Sequence, residues 1–132
     1  MKFHYKKYAS GILRPVIPIE IVYKDKMVSY EVLVDSGSDC NIFDAQIADI
    51  LGLHLRSGKK SEIVGITGNP EPVYIHKLDL RIGGHLTAGV DVGFLRQIGK
   101  YSYGIVGQKG FFDIFVVKFD LVKEEIELKI RK

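Results

Sequence analysis

Apolar and polar residues alternate through much of this chain, and that period of two predicts strands. Val28, Tyr30, Val32 and Val34 alternate with Ser29, Glu31 and Leu33, as in a strand with one buried face. Val16 to Tyr23 and Met27 to Val34 read as a hairpin joined by Lys24-Asp25-Lys26. Ser61 to Val64 and Val73 to Ile75 flank Gly65-Ile66-Thr67-Gly68-Asn69-Pro70, the vocabulary of a hairpin tip. Leu78 to Ile82 and Leu86 to Val92 stand around Gly83-Gly84, a strong two-residue turn signal. Phe115 to Leu121 and Ile126 to Ile130 form a last hairpin across Lys123-Glu124-Glu125. One short helix is predicted. Asp44 is placed to cap it, Ile47, Ile50 and Leu51 to share its apolar face, and Gly52 to stop it. Helix is sparse and the class is all-β.

At 132 residues the chain is one domain, 1–132, large enough for its own core. It contains no run of eighteen apolar residues, so a membrane-spanning helix is not expected. Met1 to Tyr8 lacks the apolar centre of a signal peptide, and a lone cysteine forms no intrachain disulfide. A reducing, cytoplasmic setting is the expectation. The formal charge of +3 is small and lies partly at Lys129, Arg131 and Lys132, so the basic termini read as solvated rather than as a nucleic-acid surface. His4, His54, His76 and His85 have no zinc-type spacing, Gly83-Gly84-His85 is not a phosphate loop, and Cys40 reads as a partly buried thiol. No metal or cofactor is expected, and neither nucleic acid nor membrane is an expected partner.

The chemistry concentrates where the strand ending in Val32-Leu33-Val34 runs into Asp35-Ser36-Gly37-Ser38-Asp39-Cys40-Asn41-Ile42-Phe43. A carboxylate at a strand end, followed by glycine, sits on a tight turn at the edge of a packed core, where acid–base chemistry is built. Asp-Ser-Gly alone is also ordinary turn vocabulary. Its weight comes from Tyr103-Gly104-Ile105-Val106-Gly107-Gln108 downstream, followed by an apolar, helix-length segment through Phe111-Phe112 and then an alternating strand. This order of motifs, from about Arg14 to Leu128, resembles the retropepsin-like aspartic proteases, and in particular their stand-alone microbial members.

The resemblance implies an acid-protease β-barrel with one or two short helices and an active site on a homodimer axis. Asp35 takes the catalytic position, and Ser36, Gly37 and Ser38 support its loop. The Ser38 hydroxyl is expected to donate to the outer oxygen of Asp35 and stabilise its charged form. Asp39, Ile105, Val106 and Gly107 fall at substrate-binding positions, and Gly65, Ile66, Thr67 and Gly68 form a flap over an extended peptide. Gln108 stands where the retroviral pattern has an arginine, so the ion pair expected across that corner with Asp39 is missing. Only one Asp-Ser-Gly occurs, and two facing carboxylates are needed, so an enzyme of this kind is a homodimer whose Asp35 pair shares a proton and activates water. Its dimer is expected to close through the strand of Ile126, Leu128 and Ile130. Two other readings stay open: a retropepsin-fold peptide-binding or dimerisation module with little turnover, and a basic nucleic-acid-associated β-domain, which lacks a stacking-aromatic signature.

Overall fold

The computed structural model describes residues 1–64, 68–96 and 103–131. Among them are twelve strands and one α-helix. Two short pieces come first, β1 (Lys2–His4) and β2 (Lys6–Lys7), and β2 pairs with β3 (Leu13–Arg14). The barrel begins with β4 (Val16–Tyr23) and β5 (Lys26–Val34), a hairpin whose turn is two residues, Lys24 and Asp25. Lys24 takes a φ of 53°, which lets the turn be one residue tighter than the sequence suggests. Val16, Ile17, Ile19 and Ile21 face the core from β4, and Val32 and Val34 from β5. Pro18 is tolerated inside β4 because there the strand pairs only with β5; its other edge is joined at Glu20–Val22 alone.

After the Asp35 loop come β6 (Asn41–Asp44) and α1 (Ala45–Leu51). The Asp44 carboxylate accepts from Gln46 N–H at 2.9 Å, and Gly52 closes the helix at φ 75°. Ala45, Ile47, Ala48 and Leu51 are its buried residues. Ile50, expected on that face, is 59% exposed, because a step of 100° per residue carries it outside the arc the other four share.

The chain continues through β7 (Lys59–Val64), β8 (Pro70–Ile82) and β9 (His85–Leu95). β8 is longer than its sequence pattern implied. Its first half pairs with β7 as a projecting arm; its second half pairs with β9, and Asp79–Arg81 reach β4. That β4–β8 contact closes the sheet, ordered β4-β5-β10-β6-β9-β8-β7, into a barrel. The strand β10 (Gly104–Val106) lies between β5 and β6 and runs parallel to β5.

The last hairpin, β11 (Phe115–Asp120) and β12 (Glu125–Ile130), pairs with β1 in a three-stranded sheet ordered β1-β12-β11. One expectation is narrowed here. β11 pairs with the whole of β12, but β1 and Met1 cover its other edge only from Glu125 to Leu128, and Ile126 and Leu128 are buried in the chain's own core. Of the three residues expected at a dimer contact, only Ile130 is exposed, at an end of β12 that β1 does not reach. The N-terminal backbone is held as well, the Met1 amino group donating to the Leu128 carbonyl at 3.0 Å, while Lys2 and Lys7 remain exposed. A correction concerns the segment after Gly107. It makes successive turns rather than a helix, because Gly110 sits at φ 101° and the Asp113 carboxylate captures Gly110 N–H at 2.9 Å.

Candidate active site

β5 and β6 are not neighbours. β10 fills the space between them, so residues 35–40 must cross over β10 to join the two strands. The crossing is close. A Cβ at Gly107 would lie 2.5 Å from the Ser38 carbonyl oxygen and 2.6 Å from that of Cys40, so only glycine lets the two segments pass.

The crossing is fastened along its length by backbone groups. Asp35 N–H donates to the Val106 carbonyl at 3.0 Å, Gln108 N–H to Ser38 at 2.8 Å, and Lys109 N–H to Asp39 at 3.0 Å. The Gln108 side-chain amide donates to the Ser36 carbonyl at 2.9 Å. Gln108 thus braces the loop directly, by a neutral bond to its backbone and not through the Asp39 side chain. Within the loop, Ser38 N–H closes a turn onto the Asp35 carbonyl at 3.1 Å, and Gly37 N–H donates to Asp35 Oδ1 at 2.9 Å. Asp35 is half-buried; Ser36, Gly37 and Asp39 are exposed.

The Ser38 hydroxyl does not reach Asp35 as expected. It donates instead to the Cys40 carbonyl at 2.8 Å, and the backbone N–H of Gly37 serves the Asp35 carboxylate. The Cys40 thiol is half-buried and its pKa is pushed up by burial and by the neighbouring Asp39.

Pleat alternation sorts the surrounding apolar groups. Ile105 pairs in register with Leu33 and with Ile42, so all three share the face from which Asp35 projects at the end of β5. Ile42, Val73 and Leu95 form a small separate cluster there, with Ile63, Ile105 and Cys40 packed against it. Val106 and Gly107 are both buried, with Val106 at 0% exposure, and so they are not open to a substrate as expected. Their role is to hold the loop. Of the expected flap, Gly65, Ile66 and Thr67 lie outside the described residues, while Gly68 is exposed at φ 80°.

Sequence reasoning missed Asn41. It is fully buried, accepts from Gly107 N–H at 3.0 Å and donates to the Gly110 carbonyl at 3.2 Å. Its partners lie 66 and 69 residues away, and no local pattern marks it. Nearby, the Lys77 ammonium hydrogen-bonds Asp91 at 2.9 Å and holds that carboxyl below its ordinary range against the opposing effect of burial; Lys109, at 3.4 Å, adds to the lowering. A cleft of about 860 Å³ bordered by Leu55, Arg56, Tyr74 and Arg96 does not include Asp35. Among the described residues no group of three or more His, Cys, Asp or Glu is arranged to hold a metal, and no helix is long and apolar enough to cross a membrane.

No protein-family model matches the chain, and no curated protein matches it in sequence. Solved structures do. The crystal structure of a retropepsin-like aspartic protease from Rickettsia conorii superposes with a TM-score of 0.68 at 17% identity, over 97% of this chain and 89% of that one. The EIAV protease complexed with the inhibitor HBY-793 superposes with a TM-score of 0.52 at 19% identity, over 78% of this chain and 88% of that one. With the barrel closed by β4 and β8 and the acid-bearing loop carried over β10, the chain has the retropepsin-like fold.

Proposed function

We propose that the chain is an aspartic endopeptidase assembled from two copies, with Asp35 of each meeting its mate across a two-fold axis. The observation that carries this reading is the anchoring of Asp35: a half-buried carboxyl on a loop tied to β10 and Gln108, at the end of the sheet face that carries Leu33 and Ile105. Each chain supplies one such acid, and activating water between carboxyls requires two. Like charges a few ångströms apart do not both ionise, so one Asp35 keeps a proton. The ionised partner takes a proton from water as its oxygen attacks the scissile carbonyl carbon, and the protonated partner donates to the carbonyl oxygen. The tetrahedral diol then collapses: one diol hydroxyl gives its proton to the carboxylate that had donated, the C–N bond breaks, and the departing amine takes the proton that the other carboxyl had drawn from water. The scheme needs neither a metal nor a covalent enzyme intermediate. An extended peptide fits it, running past the half-buried Leu33 and Ile105 and under the β7–β8 arm, with Asp39 at its edge. A lone half-buried thiol suits a reducing, cytoplasmic setting.

A second reading is a peptide-binding or dimerisation module of the same fold without turnover. It is favoured by β1, which covers Glu125–Leu128 of β12 within the chain and leaves only its last residues for the strand pairing expected of the dimer.

Acid-range cleavage of an unbiased peptide library separates the two. Wild type is expected to cleave below neutrality as a dimer by mass. Asp35→Asn is expected to lose roughly 10³-fold or more of that activity at an unchanged melting temperature. Undiminished cleavage by the variant removes Asp35 from the mechanism. A wild-type dimer that binds peptides but cleaves none supports the second reading.

A further inference from the structure

We infer that Asn41 is a positioning residue for Asp35, its carboxamide setting where residues 107–110 lie beneath the acid-bearing loop. The kinetic consequence rests on the peptidase reading; the geometry does not.

Asn41 is the one polar or charged residue that is buried among those described, at 0% exposure. A buried polar side chain is kept only when its hydrogen bonds are made. Its two ends have opposite tasks. Oδ1 accepts from Gly107 N–H at 3.0 Å, while Nδ2 faces the carbonyls of Gly110 at 3.2 Å and Asp91 at 3.5 Å. A primary amide of this length does both. An ionised carboxylate only accepts, and a serine hydroxyl is too short to span the two ends.

The segment it holds is clamped from both sides. A Cβ at Gly107 would strike the loop carbonyls of Ser38 and Cys40, and one at Gly110 would lie 2.5 Å from Asn41 Nδ2. Between these glycines stand Gln108 and Lys109, which hold the carbonyls of Ser36, Ser38 and Asp39. Moving residues 107–110 therefore moves three loop carbonyls, and with them the turn whose Gly37 N–H orients the Asp35 carboxylate. A displacement of about 1 Å is enough to cost a reaction roughly 10²-fold.

Asn41→Asp isolates the donor end. Protonated, the new side chain donates to the Gly110 carbonyl; ionised, it faces two carbonyl oxygens with no proton between them. The charged groups around this corner are Asp91 with Lys77 and Lys109, Asp39 on the loop and Asp113 on the following turn; both lysines are already engaged by Asp91. Asn41→Ser removes both ends without burying a charge.

The test measures kcat and KM for wild type and both variants across about pH 4 to pH 7, spanning ordinary carboxyl titration. Amide exchange at Gly107, Gln108 and Lys109 is followed alongside, with Val32 as the core reference. The kcat of Asn41→Asp relative to wild type is expected to fall at least about tenfold across that range, with KM changed far less. Asn41→Ser is expected to be low throughout, and both variants to lose protection at Gly107 and Gln108 while Val32 keeps it. An Asn41→Asp profile parallel to wild type, or unchanged exchange at Gly107 in Asn41→Ser, overturns the inference. Should Asn41→Asp unfold above neutrality, Asn41→Ser decides it. Should wild type cleave nothing, the peptidase reading fails and exchange alone judges Asn41.

Discussion

The Asp35–Cys40 loop and the Gly83–Gly84 turn are written in similar letters, each a glycine-bearing break after an alternating strand. Their physical situations are opposite. Gly83 and Gly84 take φ values of 56° and 83°, and the turn is completed by its own hairpin through the Ile82–His85 pair. A Cβ at Gly84 would meet nothing within 4 Å. The Asp35 loop, in contrast, has three of its carbonyls satisfied by Gln108 and Lys109, about seventy residues along the chain. A turn that satisfies itself is a connector. A loop whose backbone is satisfied by a remote segment is held in one geometry, and the side chains of Asp35 and Asp39 are carried on a fixed frame.

The sharpest way to break this contrast is to put a methyl group on each turn. Gly107→Ala drives a Cβ into two loop carbonyls that cannot move without releasing Asp35, and overpacking against backbone is expected to cost about 3 kcal/mol or more. Gly84→Ala meets only the intrinsic penalty of a positive φ, about 1–2 kcal/mol. Denaturant midpoints of the two variants measure the difference, and equal losses would mean that the acid loop is no more constrained than a surface turn.

Tyr30 sharpens the same comparison from beneath. Its ring packs against Gly104, at the start of the β10 strand that the loop crosses, and its hydroxyl accepts from Asp44 N–H at 3.2 Å. Burial pushes its pKa up to about 12. The folded protein therefore holds this proton after the unfolded chain has lost it near the ordinary tyrosine value of about 10. The sign follows: from about pH 10 upward the unfolded state binds fewer protons, and stability falls until the folded tyrosine also ionises. The loss is on the order of 2 kcal/mol. Alkaline unfolding of wild type against Tyr30→Phe reads it, and a variant whose stability declines just as steeply over that range would assign the loss elsewhere.

What was legible in the sequence was local. Asp44 and Gly52 bracket their helix through bonds within a few residues, and Gly83-Gly84 makes its own turn, so a short window contains the whole cause. The period-2 run into Asp35 was legible for the same reason. The bracing of Asp35 was not, because Asn41, Gly107 and Gln108 act across 66 to 72 residues. The pairing of Glu125–Glu127 of β12 depends on Lys2–His4, at the other end of the chain. Around Phe111 a local pattern misled: the apolar run suits a helix, but Gly110 and the Asp113 carboxylate bend it into turns. Ser38 failed differently. Its hydroxyl donates to the Cys40 carbonyl, two residues on, instead of to the Asp35 carboxylate.

The smallest expected effect lies at the edge of the brace, where Asp91 holds Lys109. The Lys77 hydrogen bond, with Lys109 adding to it, keeps the Asp91 carboxyl below its ordinary range in the fold. A depressed carboxyl contributes stability that is fully present above the unfolded value of about 3.9 and is lost as pH falls through the folded one. Both lysines are largely exposed, so solvent screens the pair and the contribution is small. Asp91→Asn is expected to melt slightly below wild type near neutrality, with the gap closing as pH drops through the acid range. This matters for reading an acid-range assay of the proposed peptidase: a brace that loosens at low pH lowers activity on the same side as protonation of the proposed catalytic carboxyls. Melting temperature against pH for both proteins distinguishes the two causes. If the gap stays constant or widens toward low pH, Asp91 is not part of what the brace loses, and an acid limb in the rate has its cause elsewhere than in the Asp91 contact.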